Sequence, residues 1–169
     1  MKKILLLGIS LIGFSAFAQK FAFIDSDYIL NNIPTYKAAQ DQLDKYSQDW
    51  QKEIETKYAE IDDMYKKYQS EKVLLTEDMK SKREEEIMNK EKAVKDLQNK
   101  YFGKDGELFK KREELIKPIQ DEVYNAVKEI AADGGFAVIF DTASGNNIMY
   151  SDPKYDKSDQ VLQKLGYKK

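Results

Sequence analysis

Residues 36–69, YKAAQDQLDKYSQDWQKEIETKYAEIDDMYKKYQ, decide how the rest of the chain must fold. Apolar side chains fall at Tyr36, Ala39, Leu43, Tyr46, Trp50, Ile54, Tyr58, Ile61, Tyr65 and Tyr68, in steps of three and four, with charge between them. That spacing predicts a helix with one apolar stripe. Neither Gly nor Pro interrupts it, so at 1.5 Å per residue one helix reaches about 60 Å. Two consecutive four-residue steps, Trp50 to Ile54 to Tyr58, form a stutter that locally unwinds a left-handed supercoil.

A stripe on a lone helix needs a cover, and the following segment supplies one. Ile87, Val94, Tyr101, Leu108 and Leu115 recur in sevens with Leu97 between, and the pattern runs on through Ile119, Val123, Val127 and Ile130. The two stripes cover each other in an antiparallel coiled-coil hairpin. The tip is expected at residues 70–78, SEKVLLTED, with Thr76 capping the return helix and Glu77 and Asp78 at its positive end. Leu74 and Leu75 either close the hairpin by packing inward, the commoner arrangement, or offer an apolar contact outward.

Gly103 and Gly106 interrupt the return arm, each costing about 1 kcal/mol relative to Ala inside a helix. Pro118 removes the hydrogen bond to the Glu114 carbonyl and crowds that turn. These three positions are candidate hinges. Tyr58, Met64, Tyr65, Tyr68, Met79 and Met88 place aromatic and thioether surface where a rigid coiled coil uses Leu or Ile. Either they fill the seam, or some face an enclosed space and touch non-native chains.

The flanks are short and strand-like. Residues 20–25, KFAFID, suit a strand; Ser26 or Asp27 is the expected cap of a brief helix ended by Asn31, Asn32 and Pro34; Thr35 is the expected cap of the arm. Gly134 and Gly135 stop the return helix. Residues 136–141, FAVIFD, read as a buried strand and residues 148–151 as another, with a turn-rich loop at 143–147. Asp156 or Ser158 caps a last helix carrying Val161, Leu162 and Leu165 and ended by Gly166. A sheet this small is marginal alone, so its apolar residues are expected to be buried between subunits.

The N-terminus addresses compartment. Lys2 and Lys3 precede an apolar run over residues 4–14, and Ala16, Phe17 and Ala18 form a small-x-small site before Gln19. This reads as a secretory signal peptide over residues 1–18, cleaved between Ala18 and Gln19. The run is too short for a spanning helix, so no stable membrane insertion of the mature chain is expected. Removing Lys2 and Lys3 leaves 26 of the 28 basic residues against 30 acidic ones, a charge of −4, and nucleic acid is not an expected partner.

With Cys 0 and His 0 the chain lacks thiolate nucleophiles, disulfides and an imidazole base. No glycine-rich phosphate loop follows a strand, and the aspartates of DTASGNN and SDPKYDKSD lack the spacing of a calcium loop. The expectation is a non-enzymatic protein with no cofactor and no metal site.

The segments FAFIDSDYILNNIPTYKAAQDQLD, YFGKDGELFKKREELIKPIQDEVYNAVKEIA, GFAVIFD and IMYSDPKYDKSDQVLQKLGY, in that order, resemble the OmpH/Skp family of periplasmic chaperones, most nearly its Bacteroidetes-type members. The resemblance implies a mainly α fold with a small β body and a coiled-coil hairpin projecting from it. It implies a single domain over 19–169, with the body at 20–35 and 119–169 and the arm at 36–118. It implies a jellyfish-shaped homotrimer whose body strands contain Phe21, Phe23, Ile24, Phe136, Val138, Phe140, Ile148 and Tyr150. The implied function is ATP-independent holding of unfolded outer-membrane β-barrel proteins in the periplasm. The best-known member is strongly basic and this chain is mildly acidic, so the family's lipopolysaccharide site is not carried over. A structural reading stands beside this one: a coiled-coil spacer or adaptor docking a folded partner of the cell envelope.

Overall fold

The structure is a computed structural model that describes residues 19–143, 145 and 148–167. The signal-peptide reading of residues 1–18, including Ala18, lies outside the described residues.

Strand β1 (Lys20–Ile24) leads into helix α1 (Ser26–Asn31) and then the outgoing arm α2 (Pro34–Glu71), followed by a tight 3-10 turn at Lys72–Leu74. The chain returns through α3 (Glu77–Phe102), α4 (Glu107–Leu115) and α5 (Lys117–Gly134), forms β2 (Phe136–Asp141), and ends with a 3-10 turn at Pro153–Tyr155 and helix α6 (Ser158–Lys164). At 1.5 Å per residue the 38-residue α2 is about 57 Å long.

The caps show how local chemistry sets these boundaries. Asp25, not Ser26 or Asp27, caps α1: its Oδ1 accepts the Tyr28 N–H at 2.8 Å. Asp25 is the first residue past the strand and its backbone is extended, which suits a capping side chain. Ser26 is engaged elsewhere, donating its hydroxyl to Asp141 Oδ2 at 2.7 Å and its backbone N–H to Asp141 Oδ1 at 3.1 Å. The arm starts earlier than Thr35, because Pro34 occupies the first turn, where a missing N–H leaves nothing unsatisfied, and Ile33 takes the cap position. Thr76 caps α3 as its sequence predicts, accepting from Met79 N at 3.4 Å. Gly135 ends α5 at φ 64°, and its N–H reaches the Ala131 and Ala132 carbonyls. Before α6, Asp156 Oδ1 accepts the Ser158 N–H at 2.8 Å, while Lys157 holds the formal cap position.

β1 and β2 pair in parallel, with Phe21 opposite Val138, Ala22 opposite Ile139 and Phe23 opposite Phe140. Thus the two ends of the chain close the body around the arm. Along the other edge of β1, Lys157 N donates to the Phe23 carbonyl at 2.8 Å. Asp25 N donates to the buried Ser158 Oγ at 2.9 Å, and that hydroxyl donates to Asp156 Oδ1 at 2.6 Å. The body core consists of Ile24, Ile29, Leu30, Ile33, Val123, Ala126, Val161 and Leu162.

One expectation for the body is corrected. Ile148, Met149 and Tyr150 lie outside any strand, because no partner strand within the described residues offers them a ladder. Within one chain β2 is covered on one face: Val138 is 47% and Phe140 41% exposed, since α5 covers the face that carries Ile139.

Candidate functional site

The hairpin seam is held by few buried side chains. Ile54, Ile61 and Tyr68 of α2 meet Ile87 and Val94 of α3, with Met64, Leu75, Leu97, Tyr101 and Phe102 packed around them. Nearer the body, Ala39 and Leu43 meet Ile116. From Leu43 to Ile54 the buried positions jump by eleven residues instead of seven, which is where the stutter falls. Aromatic rings fill that interval. Tyr46 stacks on Trp50, the Trp50 ring lies 4.8 Å from Tyr101 at an interplanar angle of 5°, and Phe102 meets Trp50 edge-on at 6.4 Å.

Phenol hydroxyls fasten the edges of the seam. Tyr68 donates to Glu84, Tyr65 to Glu91 at 3.2 Å and Tyr101 to Glu53 at 2.9 Å, each from one arm to the other. The accepting carboxylate holds each phenol proton in place. Tyr68 is consequently pushed up to about 12, chiefly by the Glu84 bond and secondarily by desolvation. The Glu91 and Glu53 bonds raise Tyr65 and Tyr101 in the same sense.

This geometry sorts the six sequence-predicted arm residues. Tyr68 is buried in the seam and Met64 packs half-buried against it. Tyr65 is 41% exposed with its hydroxyl tied to Glu91, and Tyr58, seven residues earlier on the same face, is 43% exposed. Met79 and Met88 are exposed, but nine residues apart they lie half a turn out of phase and do not share a face. At the tip Leu75 packs inward, whereas Val73 is 92% and Leu74 85% exposed. Both arrangements weighed for the tip leucines therefore occur, one per residue.

Gly103 and Gly106 separate α3 from α4, and both are required by close approach. A Cβ on Gly103 would lie 2.3 Å from the Asn99 carbonyl oxygen, and one on Gly106 would lie 2.7 Å from that of Tyr101. Pro118 falls in the first turn of α5, so the helix restarts there after a break at Ile116, whose side chain is buried between the arms. Among the residues expected in the body strands, Ile24 is buried in the body core, Phe23, Phe136 and Ile148 are half-buried, and Phe21, Val138, Phe140 and Tyr150 are exposed. Gln19, the residue after the predicted cleavage point, is exposed just ahead of β1.

Among the described residues no group of acidic side chains is placed to hold a metal ion, and no helix is long and apolar enough to cross a membrane.

Residues 20–165 match the model of a family described as outer membrane protein (OmpH-like). The chain belongs to this OmpH-like family. An uncharacterized protein of Aquifex aeolicus (strain VF5) is 30% identical over 165 residues, covering 98% of this chain and 96% of its own. The fold is that of an OmpH-like protein of Caulobacter crescentus CB15, described as an outer membrane chaperone. That crystal structure superposes with a TM-score of 0.68 at 15% identity, over 87% of this chain and 83% of the other. The family match starts at the first residue of β1 and stops just past α6, so it takes in body and arm alike.

The sequence stripes contain Tyr46, Trp50 and Tyr101 but do not foretell their stacking, and Phe102 lies outside them. The signal was present, however: the stutter at Trp50 and the first glycine after Phe102 meet at one level of the hairpin.

Proposed function

We propose that the mature chain is a periplasmic holdase that shields unfolded outer-membrane β-barrel proteins between helical arms without ATP. The observation that carries this reading is the arm itself. It projects about 57 Å, is closed by only five strongly buried side chains over its outer part, and leaves Tyr58, Met79, Met88, Val73 and Leu74 exposed. Such scattered apolar surface on a stiff, charged support suits many weak contacts with a non-native chain, and multiplicity supplies affinity without one dominant contact. Membership of the OmpH-like family, and the description of the Caulobacter relative as a chaperone, support the same assignment.

Three copies meeting through the body would form the cage. Val138 and Phe140 lie exposed on β2, whose outer edge is unpaired among the described residues, and Phe21 lies exposed opposite Val138; on that edge Ile148–Tyr150 from a neighbour would find a ladder. The breaks at Gly103, Gly106 and Pro118 serve as hinges that set arm spacing. The signal peptide at residues 1–18 delivers the chain to the periplasm.

The test is light scattering of a urea-diluted β-barrel protein in the presence of the mature chain. Suppression at one cage per client without nucleotide supports the holdase. No suppression points to the spacer reading. Sedimentation equilibrium checks the assembly, and a stable monomer at micromolar concentration would overturn the cage.

A further inference from the structure

The break between α3 and α4 does more than interrupt the arm. It brings Phe102, at the end of α3, alongside Leu108 and Phe109 in the first turn of α4, around an open pocket of about 220 Å³ floored by Gly103. Phe109 is 47% exposed although it is one of the largest apolar side chains in the segment. Arg112 completes the wall.

The charge pattern of KKREEL singles this arginine out. Lys110 is paired with Glu107 at 3.0 Å and Lys111 with Glu114 at 2.6 Å. Arg112 has no acid within helical reach: three and four residues away in either direction stand Phe109, Leu108, Leu115 and Ile116. Among the described residues its guanidinium joins no ion pair, so an exposed anion-binding fork borders the pocket walled by Phe102, Leu108 and Phe109.

We propose that this pocket binds the C-terminal residue of a client chain when that residue is aromatic, its ring against Phe102 and Phe109 and its carboxylate on Arg112. The spacing decides between occupants. Side chains three apart on a helix stand about 5–6 Å from each other at Cβ. An occupant must therefore present a ring and an anion within one residue of each other, as a chain terminus does. A phosphate would also suit the fork; displacement of the peptide acid by inorganic phosphate at equal concentration would favour that occupant and overturn the terminal carboxylate. The inference deepens the holdase reading and rests on it for the identity of the ligand as a client.

The single tryptophan provides the readout, because Trp50 touches the Phe102 ring that lines the pocket. The purified mature chain is titrated with Gly-Ser-Gly-Ser-Gly-Phe bearing a free carboxylate, with the same peptide amidated, and with Ala in place of Phe. The expected result is a saturable change in Trp50 emission with the free acid and affinity about tenfold weaker for the amide. Arg112→Gln should bring the acid down to the level of the amide, Arg112→Lys should restore part of the difference, and Phe109→Ser should abolish binding of both. Equal affinity of acid and amide, or an Arg112→Gln chain that still distinguishes them, overturns the proposal. So does dissociation of the oligomer by either substitution in sedimentation, which would make the pocket a contact between copies. Suppressed aggregation without peptide discrimination refutes the pocket alone. Peptide discrimination without suppression refutes the holdase reading alone.

Discussion

Replacing Ile87 by Ala tests whether the arm is an independent unit of stability. Ile87 is 2% exposed and sits in the seam cluster with Ile54, Ile61, Tyr68 and Val94, a set that shares no buried member with the body core. The substitution removes three carbon atoms, worth about 0.8 kcal/mol each in transfer from water, with a cavity contribution on top. A two-helix seam is open at its sides and relaxes more readily than a globular core, so the lower part of the usual range applies, about 2–3 kcal/mol. At about 1.4 kcal/mol per decade this lowers amide protection roughly 30- to 150-fold wherever the seam must open to allow exchange. Hydrogen exchange followed by mass spectrometry should show that loss in the facing stretches of α2 and α3, while α5 and β1 keep their protection. A loss of equal size in α5 would show that arm and body open together and would refute the two-unit reasoning. An unchanged seam would refute the placement of Ile87.

Further outcomes follow from the same geometry. Thr76→Ala removes the cap of α3; the cap bond is long at 3.4 Å and exposed, so the loss should be about 0.5–1 kcal/mol, read from thermal unfolding by circular dichroism. Gly103→Ala places a methyl against the Asn99 carbonyl, and the displacement of Phe102 should alter Trp50 emission even where overall helicity is kept. In an alkaline titration followed by phenolate absorbance, one tyrosine should ionise near 12 and vanish from the curve in Tyr68→Phe. Because its folded value is raised above the ordinary 10, the stabilisation it provides is fully present below pH 10 and is lost as pH rises through 12. The lowered carboxyls of Glu77 and Glu107, held by Lys80 and Lys110, work in the opposite sense. Their contribution is present above the ordinary carboxylate range and lost as pH falls through the lowered values, and high salt should screen it, since both pairs are exposed.

The hairpin was legible because its signals are local or periodic. The three-and-four steps of α2, Thr76 before two acids, the glycines after Phe102 and the glycine pair after Asp133 each act within one or two turns. What escaped depends on register between distant segments. Nothing in the sequence says that Tyr68 stands opposite Glu84 or Tyr101 opposite Glu53, because the pairing is fixed by where the tip turns. The cap of α1 falls one residue before Ser26 and two before Asp27, because Ser26, a good capping residue by type, is recruited by Asp141 from the far end of the chain. Ile148–Tyr150 has the composition of a strand, yet a strand exists only where a ladder forms, and among the described residues no strand pairs with it.

The tyrosine bonds bear on how such an arm can be long and still yield. A coiled coil of this length built on Leu and Ile would bury an apolar side chain at nearly every three- or four-residue step. Here Ile54, Ile61 and Tyr68 are buried at seven-residue intervals, and between them lie Tyr58 and Tyr65, half in water. Where a leucine would add to the dry seam, Tyr65 instead lends a hydroxyl to Glu91 across the edge. An exposed hydrogen bond of this kind exchanges with water at little net cost, so it fixes register without adding much resistance to separation. The ring stays available to other apolar surface, because only its hydroxyl is committed. A seam assembled this way keeps its two helices aligned while leaving the faces of Tyr58 and Tyr65 half in water, which suits the wall of the proposed cage if it is to grip chains of different sequence.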